Sequence, residues 1–152
     1  MTGNDFRELC NRKFLVLDGA TGTELAKLGM PPGVSPEKWC LENPDAIIKV
    51  QRSYREAGSE IIYAPSFGGN PIKLAEFGLE ERTAEINTAL AELSRKACPG
   101  TLIFGDIAPT GILVEPFGPL AFEDAVDIYR RQVSALAAGG VDGFAIETMM
   151  SL

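Results

Sequence analysis

The sequence predicts an α/β chain, the first half of a (β/α)8 (TIM) barrel, about four parallel strands each followed by outer helices. Three observations carry this. Short, uniformly apolar runs begin near residues 14, 60, 101 and 141, and each gap between them holds one principal helical segment. Such repeated strand-helix units make a parallel sheet. Each run also ends on acidic or polar residues, which suits the ligand-binding rim at the carboxyl ends of barrel strands. Finally, the first turn, Gly19-Ala20-Thr21-Gly22, is not the GxGxxG of an open doubly wound sheet, and no Walker pattern occurs. A complete barrel needs about 250 residues. The chain has 152, so it is read as a single half-barrel domain over 1–152, with exposed strand edges through which it is expected to self-associate.

Taken in order, residues 1–13 form a short amphipathic lead-in with Phe6, Leu9 and Cys10 on one face, closing the bottom of the sheet. Residues 14–17 are too short and too apolar for an exposed strand and predict one buried on both faces. Asp18 stands at its carboxyl end. Gly19 and Gly22 allow a tight turn, and Thr21 or Thr23 can cap a helix from Glu24 to about Leu28. A carboxylate beside free backbone N–H groups suits an amino acid, whose ammonium takes the acid and whose carboxylate takes the N–H groups. The same stretch is equally readable as an ordinary capped strand-to-helix turn.

Ser35-Pro36 and Asn43-Pro44 are two helix starts, the second leading a helix to Ala57 with Ile47, Ile48, Val50 and Tyr54 at helical spacing. Trp39 is read as filling a gap in the packing. Gly58 stops this helix, and residues 60–64 are the second strand, ending in Pro65-Ser66-Phe67-Gly68-Gly69-Asn70. A short helix over 71–77 and a long one over 79–97 follow, the latter with Ile86, Leu90, Leu93 and Ala97 as its apolar stripe. Residues 101–105 are the third strand, and Asp106 opens a long loop to Leu120. Long ordered loops usually cover something. The helix over 121–138 presents Phe122, Val126, Tyr129 and Val133 to the core. Residues 141–146 form the fourth strand, which closes on Glu147-Thr148.

Composition narrows the function. The chain is 45% hydrophobic and 23% charged, with a net charge of −7. That balance argues against nucleic acid and anionic membrane surfaces as partners. No apolar run approaches the roughly 18 residues that span a bilayer, and residues 1–12 are too polar for a signal peptide, so a cytoplasmic location is expected. Histidine is absent and the three cysteines, Cys10, Cys40 and Cys98, form no CxxC pair. They are read as free thiols and small buried hydrophobes, not as metal ligands or nucleophiles.

Five collinear motifs then carry a resemblance over nearly the whole chain: Leu17-Asp18-Gly19-Ala20-Thr21-Gly22-Thr23-Glu24-Leu25, Trp39-Cys40-Leu41-Glu42-Asn43-Pro44, the 57–62 segment leading into Ser66-Phe67-Gly68-Gly69-Asn70, Gly105-Asp106-Ile107-Ala108-Pro109-Thr110-Gly111, and Asp142-Gly143-Phe144-Ala145-Ile146-Glu147-Thr148-Met149. Together they resemble the homocysteine S-methyltransferase family, and within it the cobalamin-dependent, methionine-forming branch. The resemblance implies a (β/α)8 barrel in which zinc on cysteine thiolates activates the homocysteine sulfur, with methylcobalamin on another module, or a small-molecule donor such as betaine or S-methylmethionine, supplying the methyl group. By motif position it implies that Asp18 and Glu147 hold the amino group and that the Gly19-Ala20 backbone lies beside the bound amino acid. The family's zinc cysteines lie in Asn-Cys and Gly-Gly-Cys-Cys motifs of later strands, neither of which occurs here. Zinc ligands and catalytic residues are therefore assigned to no position of this chain, which is expected to be inactive alone. Ala64-Pro65-Ser66, and Asp106 with Ala108, depart from the family's commoner residues. A rival reading is a stand-alone binding or assembly half-barrel.

Overall fold

The computed structural model describes residues 2–150. The element order is α1 (Gly3–Arg12), α2 (Thr21–Lys27), α3 (Pro36–Glu42), α4 (Pro44–Glu56), β1 (Ile61–Ala64), α5 (Pro71–Ala75), a 3-10 turn (Glu80–Arg82), α6 (Thr83–Ala97), β2 (Leu102–Ile107), α7 (Phe122–Ala138) and β3 (Gly143–Ile146). The three strands pair in parallel in the order β1-β2-β3. Ile61 stands opposite Leu102, and Phe104 opposite Gly143. This is the α/β architecture of barrel type that the spacing predicts.

Side chains alternate across a strand, so the register sorts them into two faces. Ile62 and Ala64 of β1 and Ile103 and Ile107 of β2 face the helices, where they share a core with Ala91, Ala97, Cys98 and Leu136. Tyr63, Phe104 and Asp106 take the opposite face, where Phe6 of α1 stacks obliquely on Phe104 with ring centroids 5.4 Å apart. A second core lies among the helices alone: Leu25, Cys40, Ile47, Val50, Leu74, Leu79, Ile86 and Leu90. Trp39 packs at its margin.

Several expectations need correction. Residues 14–17 are not a strand buried on both faces: Phe14 is 97% exposed, Val16 and Leu17 are about half exposed, and the only pairing is a single parallel bridge, Leu17 to Ile61. The segment is hydrogen-bonded on one side, through Ile61 N to Val16 O and Asp18 N to Ile61 O, and no described strand lies on its other side. Neither Thr21 nor Thr23 is a cap. Helix α2 starts at Thr21, after Ala20, with no side-chain cap. Asn43 likewise caps nothing with its side chain, which donates instead to Trp39 O at 3.0 Å. Strand β2 runs two residues further than Gly105, which brings Asp106 into the sheet. In α7, Phe122 and Val126 are exposed, and the buried face is Ala125, Gln132, Ala135 and Leu136. Cys10 is exposed, whereas Cys40 and Cys98 are buried, and all three are free thiols.

Candidate functional site

A cleft of about 710 Å³ opens where β1, β2 and β3 end, beside the starts of α2 and α3 and the end of α5. Its lining includes Asp18, Gly19 and Ala20 from the first turn, Tyr63 from β1, Asp106 from β2 and Glu147 just past β3. All four residues singled out from the sequence, Asp18, Gly19, Ala20 and Glu147, therefore meet in one cavity. The fold joins opposite ends of the chain there because parallel strands carry all their carboxyl ends to one side.

Asp18 is placed by its own side chain. Where the next ladder bond would join main chain to main chain, Tyr63 N–H donates instead to Asp18 Oδ2 at 3.0 Å. The carboxylate thus ends the pairing and is held by it. Beside it, the Tyr54 hydroxyl donates to Ala20 O at 3.0 Å, and a Cβ on Gly19 would lie 2.9 Å from the Tyr54 ring. A side chain there would have to push the Tyr54 ring aside. Glu147 follows β3 with its N–H donating to Ile107 O at 3.0 Å, and Thr148 next to it adopts φ 58°, the one described non-glycine residue with positive φ. That left-handed residue turns the chain sharply at the end of the strand.

Three further carboxylates, Asp106, Glu37 and Glu76, line the same cleft. Asp106, 8% exposed, points to the inner side of β2. Its main chain is pinned by Ser66, whose Oγ accepts from Asp106 N and donates to Asp106 O, both at 3.0 Å. Glu37, buried on α3, accepts from Gly68 N and from Ser35 Oγ, each at 2.8 Å, and so ties the loop after β1 to α3. Sequence reading passed over Asp106 and Glu37 as site residues. For Asp106 a signal existed in its position after an apolar run. For Glu37 only a polar residue two places past a capping serine was visible.

Crowded acids in a half-dry cavity resist ionisation. Burial pushes the Asp18 carboxyl up to about 6, with Glu147 adding to the effect and the Tyr63 N–H opposing it. Burial pushes Asp106 up to about 7, with Glu147, Asp18 and Glu37 adding in that order. The Tyr63 phenol is raised by burial and by Glu147, Asp106 and Asp18. Lys73 is the cationic side chain in the lining, and it is already ion-paired with Glu76 at 2.9 Å. With apolar walls from Leu25, Phe67 and Phe77, the cleft suits a cation on a largely apolar body.

A metal finds no such welcome. Among the described residues no group of three or more histidine, cysteine, aspartate or glutamate side chains is arranged to hold one. Cys40 sits in the helical core with its thiol pushed up to about 12 by burial and by Glu37, Cys98 is buried and likewise raised, and Cys10 is exposed on α1. These thiols do not fit a zinc site.

A family model described as homocysteine S-methyltransferase matches residues 15–152. Among solved structures, the homocysteine methyltransferase MmuM from Escherichia coli in its metallated form superposes with a TM-score of 0.80 at 29% identity, over 95% of this chain and 57% of that one. The oxidized form gives 0.80 at 28% identity over 97% and 57%, and the apo form 0.66 at 25% over 96% and 53%. The chain thus spans little more than half the length of these relatives.

Proposed function

Because the chain belongs to the homocysteine S-methyltransferase family, we propose that its cleft receives the amino-acid end of homocysteine in a methyl transfer that yields methionine. Asp18 and Glu147 take the ammonium group, and the Gly19-Ala20 backbone lies along the bound amino acid. The observation that carries this is the meeting of two carboxylates from opposite ends of the chain in one apolar-walled cavity. A buried carboxylate gains most from a ligand that brings a positive charge with N–H donors.

The chain contributes the half of the barrel that recognises the amino acid, a reading supported by its coverage of 57% of the metallated E. coli relative. The reaction is of the methionine synthase type, with methylcobalamin, betaine or S-methylmethionine as the methyl donors the family resemblance leaves open. Zinc on thiolates would lower the pKa of the homocysteine thiol, so that a thiolate attacks the methyl group. No described residue fits that metal, so no step at sulfur is assigned to this chain. By itself it binds and does not turn over. A cytoplasmic setting accords with free thiols. No described helix is long and apolar enough to cross a membrane.

The test is titration calorimetry of the protein with L-homocysteine. Asp18→Asn and Glu147→Gln should each weaken binding about ten-fold or more, the worth of one charge-assisted hydrogen bond. Unchanged affinity in both variants would remove the proposal's basis.

A further inference from the structure

We propose that Asp106 is a third acceptor for the amino-acid ammonium, so that the subsite is a cage of three carboxylates and not a pair. The inference rests on the reading of the cleft as an amino-acid site, and it deepens that reading. Asp106 Oδ1 is fully buried and accepts no hydrogen bond, although the residue lines the cleft. An unpartnered polar atom in a native interior calls for an explanation, and one explanation is a missing ligand. The fold has not simply failed to place this residue. Its main-chain N–H and C=O are both satisfied by Ser66 Oγ, and Gln132 Nε2 adds a longer contact to the same C=O at 3.4 Å. Three contacts hold the backbone while the carboxylate is left free.

The groups facing Asp106 decide what it awaits. Asp18 at the end of the first segment, Glu147 after β3 and Glu37 on α3 all act on it as negative charges, and Tyr63 on β1 presents a neutral phenol. Lys73 from α5 also lines the cleft, but it is paired with Glu76. An anion would be repelled from this corner. An ammonium offers three donors, which matches three carboxylates, whereas the thiol and methylene groups of the substrate offer no comparable donor.

A proton balance follows. With burial and its neighbours holding it up to about 7, Asp106 is partly protonated in the empty cleft at neutral pH. Arrival of a cation favours the charged form, so the carboxyl O–H bond breaks, its proton leaves to solvent, and the electron pair stays on oxygen to accept from the ammonium. Binding therefore releases a fraction of a proton that belongs to the amino group's recognition and not to the thiol.

The experiment compares L-homocysteine with γ-mercaptobutyrate, the same molecule without its amino group, by calorimetry near pH 7 in two buffers of different ionisation enthalpy. Asp106→Asn should weaken homocysteine binding about ten-fold or more while leaving γ-mercaptobutyrate within about two-fold. In the unsubstituted protein, homocysteine should release more protons than its desamino analogue, and the excess should fall sharply in the variant, to the smaller share that Asp18 supplies. The proton comparison needs no variant and holds even if Asp106→Asn folds poorly. Equal losses for both ligands, or equal proton release in the unsubstituted protein, would overturn the assignment. Homocysteine binding that depends on Asp18 and Glu147 but not on Asp106 would overturn this inference alone. Failure of homocysteine to bind at all would take the amino-acid reading with it.

Discussion

Asp106 occupies a place where a negative charge is costly, and that cost should be measurable as stability. Its carboxyl titrates near 7 in the folded chain against an ordinary value of 3.8, and Asp18 near 6. Between about pH 4 and 7 the folded state therefore binds more protons than the unfolded one, and stability falls as pH rises through that window. The stabilising protonated form is fully present below the ordinary carboxylate range and lost above 7. Thermal denaturation without ligand should show a falling Tm from pH 5 to 8 from these two groups, and Asp106→Asn should be more stable than the parent at pH 8 by on the order of 1–2 kcal/mol. A variant less stable than the parent at pH 8 would show that the charge is better solvated than its burial implies. A substitution that strengthens the fold and weakens amino-acid binding is what a residue kept for a ligand should give. Asp18 and Glu147 were legible in the sequence because each closes an apolar run. Asp106 follows an apolar run as well, but Gly105 hides that the strand continues to Ile107, so it reads as the start of a loop and not as part of the sheet.

At the scale of elements, the site is held by polar contacts that periodicity does not reveal. Helix α7 reads as though Phe122 and Val126 should be inside, yet Gln132 is fully buried and Phe122 is 64% exposed. The reason lies in what α7 packs against. A Cβ on Gly139 would come within 2.6 Å of Ala91 Cβ and 2.7 Å of Thr88 O, so α6 and α7 approach on small residues, and the Thr88 hydroxyl donates to Ala135 O at 2.9 Å. That close approach turns Gln132 toward the sheet, where its Nε2 donates to Ser66 O at 2.7 Å. Asn87 of α6 donates in turn to Gly69 O at 2.8 Å. Two helices thus grip the loop after β1, the same loop whose Ser66 pins Asp106. Gly69 is the tight point: an added Cβ would lie 2.4 Å from Asn87 Oδ1, 2.9 Å from Ser66 O and 3.0 Å from Gln132 Nε2. Gly69→Ala should cost about 1–3 kcal/mol in chemical denaturation, as overpacked interiors do, and should lower homocysteine affinity by moving the loop. A variant that kept both stability and affinity would show that the loop can shift without disturbing Asp106. The helix positions themselves followed from spacing and from the proline and glycine punctuation, although the expected caps at Thr21, Thr23 and Asn43 do not form. Which face of each turned inward depended on buried glutamine and asparagine, whose partners lie far off in sequence.

For the molecule as a whole, the apolar runs predicted a parallel sheet, and three of the four pair as strands. The first does not, because a strand buried on both faces needs neighbours on both sides, and residues 14–17 have a described neighbour on one side only. The consequence is a margin of unspent apolar surface. Phe14 is 97% exposed at one edge, and Ile146 at 72% with Phe144 at 37% lies at the other, on β3, the last described strand. Fully burying one large apolar side chain is worth about 1.5–3 kcal/mol, and an unpaired strand edge adds hydrogen-bonding groups that seek a partner. Two such edges on one sheet favour association of the chain with further copies of itself, or with whatever completes the sheet. Sedimentation velocity should therefore show a weight-average mass rising with concentration across the micromolar range. Phe14→Ser combined with Ile146→Lys should shift the protein toward monomer, with a stability change of roughly 0.5 kcal/mol or less because both side chains face solvent. A monodisperse monomer at tens of micromolar would mean that the edges are protected by their own twist and charge, and that the exposed residues at 14 and 146 carry no interface.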